Sequence, residues 1–113
     1  MPYDDFYDEI LHFVVRRIQG LRETRGMSAR ELSLSIGMHK NYINMVEAKK
    51  IRPTLEGLVN ICEYFGLTLN EFLDESTDRP IREKELLGVV RKLDDEAFGY
   101  LLGIATKLSE GKK

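Results

Sequence analysis

Apolar residues at Tyr3, Phe6, Tyr7, Ile10, Val14, Ile18 and Leu21 recur at intervals of three and four, the spacing of one helix face. The pattern stops near Arg25, because Gly26 suits the left-handed conformation that closes a helix. Ser28-Ala29-Arg30-Glu31 reads as a capping box, in which Ser28 and Glu31 each satisfy a backbone donor of the other. It predicts a short helix from Ser28 that carries Leu32 and Ile36 inward until Gly37. After a turn, Tyr42, Ile43 and Val46 mark the buried side of another short helix, about His39 to Glu47. Lys49-Lys50-Ile51-Arg52-Pro53 then forms a basic loop, closed by a proline that suits a helix N-terminus.

Thr54 caps a fourth predicted helix with Leu55, Leu58, Ile61, Cys62 and Phe65 on one face, ending at Gly66. Thr68-Leu69-Asn70-Glu71 is a second capping box and opens a short fifth helix with Phe72 and Leu73. The polar stretch ending at Pro80 reads as a linker over 76–81. Beyond it, Leu86, Leu87, Val90 and Leu93 suggest a sixth helix. A seventh, introduced by Asp94-Asp95-Glu96, presents Phe98, Leu101, Leu102, Ala105 and Leu108. No segment alternates as a strand does. The expected fold is all-α, with a domain over 1–75 and a C-terminal helical pair over 82–113.

Charge adds a second pattern. The net charge of −2 over 113 residues hides a strong asymmetry. Residues 1–9 hold four acids and no base, whereas 10–55 hold nine bases against three acids, a local +6. Residues 56–113 return to −4, with eight bases and twelve acids. A local basic face supplies the electrostatics of phosphate binding even on an acidic molecule. One cysteine, Cys62, makes no internal disulfide, and two histidines do not complete a zinc site, so a reducing cytoplasm is the default. No apolar run is long enough for a membrane span, and the first residues lack the character of a signal peptide. No nucleophile–base pair, metal spacing or phosphate-cradling glycine loop suggests an enzyme, a cofactor or a metal. Cys62, on the apolar face of its helix, reads as a small buried hydrophobe.

Two short helices around a glycine-containing turn, set among five consecutive helices, are what a helix-turn-helix requires. From Ile18 to Leu73 the chain resembles the phage-repressor and Cro type of helix-turn-helix proteins, the XRE family. The matching residues are Leu21-Arg22, Gly26-Met27-Ser28, Glu31-Leu32, Ile36-Gly37, Tyr42-Ile43, Val46-Glu47, Pro53-Thr54, Leu58, Phe65-Gly66-Leu67 and Phe72-Leu73. The resemblance implies a five-helix repressor-like domain with a C-terminal helical extension. It also implies a transcriptional regulator that reads the major groove of double-stranded DNA with the helix 39–47.

Carried onto this sequence, the resemblance places Lys40, Asn41, Asn44 and Met45 against the bases. Asn pairs with adenine, Lys donates to guanine, and Met offers a thymine methyl an apolar contact. The alternatives are ordinary exposed positions, or for Met45 a place in the core. Phosphate contacts fall to Lys49, Lys50 and Arg52 and to backbone donors at the starts of the short helices. His39 stands where the family has a small hydroxyl N-cap, and either touches a phosphate or fills a surface position. Ala29 replaces a glutamine that in the family reaches the backbone, which hands that task to Arg30. Arg22 and Glu47 are implied as an ion pair tying the reading helix to the first helix. Two independent surface charges are the alternative.

Residues 1–9 and 79–113 lie outside the resemblance. Their apolar faces either form a satellite core within one monomer or serve a homodimer interface. A protein-interaction module, such as an antitoxin or anti-regulator with secondary DNA binding, is the alternative function.

Overall fold

The structure, a computed structural model, describes the backbone of residues 2–111 and the side chains of 5–111, so the expected place of Tyr3 on the first helix face lies outside the described side chains. Among the described residues the elements are α1 (Pro2–Thr24), α2 (Ala29–Ser35), α3 (Tyr42–Glu47), α4 (Leu55–Phe65), α5 (Leu69–Phe72), α6 (Pro80–Val90) and α7 (Asp95–Glu110). The fold is all-α. The chain divides into two units, Met1–Ile81 and Arg82–Lys113.

In the first unit, α3 packs against both α1 and α2, and α4 packs against α5. Ile18, Leu32, Ile43, Val46, Ile61 and Phe72 are fully buried. Each such side chain contributes about 1.5–3 kcal/mol through removal of apolar surface from water. Cys62 joins this core as a free thiol, and burial pushes its pKa up.

Helix α1 departs from its expected inward face. Val14, Ile18 and Leu21 are buried, but Phe6 is 64% and Ile10 42% exposed, while Val15 is buried and Leu11 packs on the core. A 23-residue helix is about 35 Å long, more than the short helices beside it can cover. Its first turns therefore stand partly free, and Phe6, Ile10 and Phe13 line a cleft of about 220 Å³ with Leu73, rimmed by Glu9 and Glu75. Leu55, also expected inward, is exposed in the first turn of α4.

Four helices of this unit end in one geometry. After α1, the Met27 N–H reaches the Arg22 carbonyl while that of Gly26 reaches Glu23. The same paired bonds close α2 at Gly37-Met38, α3 at Lys49-Lys50 and α4 at Gly66-Leu67. The cap requires a left-handed residue, which glycine adopts without steric penalty. Three of the four are glycines; the fourth is Lys49, at φ 59°.

Arg17 is buried although charged. Its Nη2 donates to the carbonyls of Asp74 (2.5 Å) and Thr77 (2.9 Å), and its guanidinium lies 4.9 Å from the centre of the Phe13 ring. It fastens the loop after α5 onto α1.

Helix α6 begins at Pro80, inside the stretch read as linker, because proline fits the first helical position. Pro80 is buried and Ile81 packs on the first unit's core. In the second unit the Asp94 carboxylate accepts from the Ala97 N–H at 2.8 Å and caps α7. Val90, Leu93, Ala97 and Leu101 are half-buried, and no residue of 82–111 is buried.

Candidate nucleic-acid interface

The site is built from α2, the turn after it, and α3. Helix α2 starts in a complete capping box: the Ser28 N–H donates to the Glu31 carboxylate (2.9 Å) and the Glu31 N–H donates to Ser28 Oγ (3.0 Å). The Ser28 backbone N–H first, and its hydroxyl second, hold the Glu31 carboxyl below the ordinary glutamate range. Ser33, wholly buried, donates from Oγ to the Ala29 carbonyl (2.8 Å) and accepts from the Ile43 N–H (2.9 Å). That bond fixes the start of α3 against the middle of α2. The turn between them is held by Asn60, whose Nδ2 donates to the Ile36 carbonyl at 3.2 Å.

The far side of α3 is anchored by Tyr42. Its ring is buried and its hydroxyl accepts from the Thr54 N–H at 3.2 Å, while Thr54 Oγ1 caps α4 by accepting from the Gly57 N–H. Gly57 is obligatory here: a Cβ at that position would run into the Tyr42 hydroxyl.

A bidentate ion pair completes the frame. Arg22 donates from Nε and Nη2 to the two carboxylate oxygens of Glu47, both at 2.8 Å, and from Nη1 to the Met27 carbonyl at 3.3 Å. The hydrogen bonds that Arg22 donates to Glu47 raise its pKa against the opposing effect of burial. Two parallel N–H···O bonds fix orientation as well as distance. Helix α3 is thus held at its start by Ser33, along its side by Tyr42, and at its end by Arg22.

What α3 leaves outward is a pair of amides beside two smaller apolar contributions. Tyr42, Ile43 and Val46 are buried, while Asn41, Asn44, Met45 and Ala48 follow the i, i+3, i+4, i+7 rows of the opposite face. Asn41, Asn44 and Ala48 are exposed, and Met45 is half-buried. The helix is shorter than the sequence pattern predicts, since Lys40 and Asn41 lie in the preceding turn. There the His39 ring accepts from the Asn41 N–H through Nδ1 at 3.3 Å, a local bond that holds the turn instead of a helical one. Asn41 occupies the N-cap position of α3, yet its side chain makes no capping hydrogen bond.

Lys40, Lys49, Lys50 and Arg52 are exposed around this face, and Arg30 is exposed on α2. The Arg52 guanidinium lies 4.7 Å from the centre of the Tyr7 ring, so the N-terminal extension reaches the basic loop directly. The nine bases of 10–55 divide by role. Arg17 is spent on the carbonyls of Asp74 and Thr77 and Arg22 on Glu47; the other seven, Arg16 and Arg25 among them, are exposed. The sequence pattern does not single out Ser33, and it gives no sign that Arg17 binds loop carbonyls or that Tyr7 meets Arg52. Ser33 carries a faint signal, as it falls three and four residues from Arg30 and Ala29 on the row that faces α3.

The helix-turn-helix family model matches residues 18–72, which run from within α1 to the end of α5. Over 60 residues the chain is 28% identical to the HTH-type transcriptional regulator PuuR of Shigella flexneri. That stretch is 53% of this chain and 32% of the relative, so the chain spans about a third of the relative's length. No solved structure is a significant match.

Proposed function

With residues 18–72 a member of the helix-turn-helix family, we propose that this protein is a DNA-binding transcriptional regulator that lays α3 in the major groove of duplex DNA. The observation that carries this reading is the division of labour on α3. Its inward residues are locked to α1, α2 and α4, and its outward face carries two amides ringed by exposed cations. Asn41, Asn44 and Lys40 supply donors and acceptors suited to base edges, and Met45 flanks them with apolar surface. Lys49, Lys50, Arg52 and Arg30 suit phosphates, with His39 at the rim of the same turn. The description of PuuR as a transcriptional regulator supports the same class. We place the protein in the cytoplasm with its DNA; among the described residues no helix is long and apolar enough to cross a membrane.

The protein acts as a homodimer in this proposal, which sets two α3 helices on successive major-groove faces about 34 Å apart. The test is selection of bound duplexes from a random pool, followed by affinity measurement across a salt series. Enrichment of a two-fold site is expected, with the logarithm of affinity falling linearly with that of salt. A pool that never converges, together with salt-independent or absent binding, removes the DNA-reading function.

A further inference from the structure

Helix α7 is apolar over an unusually wide arc. At ~100° per residue, Tyr100, Ile104, Ala97, Leu108, Leu101, Ala105, Phe98 and Leu102 cover roughly 200° of its circumference, interrupted only by Ser109 near its C-terminal end. Of these only Ala97 and Leu101 are half-buried, whereas Phe98, Tyr100, Leu102, Ile104 and Leu108 are all exposed. The other side of the helix, with Asp95, Gly99, Gly103, Thr106 and Glu110, is small or polar. One neighbouring helix covers a narrow stripe; helices in a four-helix bundle bury a wide arc against two. The unit 82–113 is too short to hold a core of its own without a partner.

The identity of that partner is written along one edge of the arc. Glu96, Tyr100, Ile104 and Lys107 follow each other at steps of four, four and three, which makes them one row on the helix surface. All four are exposed. Read backwards, the row is base, apolar, aromatic, acid. An antiparallel copy therefore sets Glu96 against Lys107 and Tyr100 against Ile104, twice over, about a two-fold axis midway along α7. A parallel copy would instead stack the acids of Asp94, Asp95 and Glu96 on their equivalents.

We propose that α7 is the two-fold contact of a homodimer, in which the Glu96–Tyr100–Ile104–Lys107 row packs antiparallel on the same row of a second copy. This contact is isologous, as closed two-fold assembly requires. It rests on the homodimer of the proposed function and assigns that dimer its interface and orientation.

Sedimentation equilibrium of the full chain without DNA is the test, applied to wild type, Glu96→Lys, Lys107→Glu, and an equimolar mixture of the two variants. Wild type sediments as a dimer. Each single variant turns two attractive pairs into repulsive ones and weakens self-association roughly tenfold or more. Mixing restores wild-type dimerisation, because a lysine-rich row then faces an acid-rich one. Any effect of either substitution on its own helix is unchanged by mixing, so recovery reports the contact alone. A monomeric wild type, single variants that dimerise as wild type does, or a mixture that fails to recover overturns the proposal. Binding of random duplex, measured in parallel, separates the two readings. It persists in the single variants if only the interface is misassigned, and is absent throughout if the DNA-reading function fails.

Discussion

Ser33 and Ile43 are joined by a buried hydrogen bond in which the backbone N–H of Ile43 donates to Ser33 Oγ at 2.9 Å. A donor in the first turn of a helix has no partner within that helix, and here it is closed off from water. The serine hydroxyl satisfies it and also returns a bond to its own helix at the Ala29 carbonyl. Ser33→Ala leaves the Ile43 N–H buried without this partner. A loss of about 1–3 kcal/mol in unfolding free energy is expected, read by urea denaturation. DNA affinity falls too, as the start of α3 loses its tie to α2. A variant as stable as wild type would show that water replaces the hydroxyl and that the bond does not position α3.

Much of this frame is legible in the sequence because it rests on local chemistry. Ser28 with Glu31 and Thr68 with Glu71 form complete capping boxes, and Gly26, Gly37 and Gly66 end their helices. Most of what the pattern hides depends on what lies across the fold. Ser33 in a helix interior looks like any solvated serine until α3 is set beside it. Arg17 counts as one more cation of the basic segment, yet its partners stand 57 and 60 residues away. Phe6 and Ile10 keep the helical period of Val14 and Ile18, but periodicity does not say where the neighbouring helices stop. Lys49 hides for a different reason, since nothing in its side chain announces a left-handed backbone.

Lys49 separates stability from binding. Its left-handed conformation costs about 1 kcal/mol relative to glycine, offset in part by the greater freedom of glycine in the unfolded chain. Lys49→Gly should therefore be as stable as wild type or up to roughly 1 kcal/mol more stable in thermal unfolding. If Lys49 meets a phosphate, the same substitution weakens DNA binding and lowers the log–log salt slope by about 0.9. Lys50→Ala should match that loss in slope with no gain in stability. A Lys49→Gly protein with an unchanged slope removes Lys49 from the phosphate contacts.

The acid limb of the stability profile reports two exposed carboxylates. Glu31 is held below the ordinary range by Ser28, and Asp74 by the Ser76 hydroxyl, then the Ser76 N–H, with a smaller contribution from the charge of Arg17. Both pKa values are lower in the folded chain than in the unfolded one. Their stabilising effect is fully present above the unfolded values and is lost as pH falls through the folded ones. The melting temperature should decline below the ordinary carboxylate range. Glu31→Gln, which keeps a capping acceptor but does not titrate, should make that decline shallower. An identical acid limb in the variant would show that Glu31 does not contribute.

Asn41 gives the sharpest separation of folding from recognition. It stands at the N-cap of α3, where an asparagine side chain commonly accepts a helix N–H. Here its side chain makes no such bond, and the backbone donors at this end go elsewhere: Asn41 N–H to His39 Nδ1, Tyr42 N–H to the His39 carbonyl, and Ile43 N–H to Ser33. The exposed amide of Asn41 is therefore free of structural duty, and it lies beside Asn44 on the outward row of α3. Asn41→Ala should leave the unfolding free energy within about 0.5 kcal/mol of wild type, as for a surface substitution. On the selected duplex it should lose roughly 1–3 kcal/mol of binding energy, and on random duplex almost none. Arg52→Ala, by contrast, should weaken both duplexes alike, because a phosphate contact carries no sequence information. Measuring both variants on both duplexes at one salt concentration decides the matter: a uniform loss for Asn41→Ala would place Asn41 among the phosphate contacts, and a loss of folding stability would return it to the helix cap.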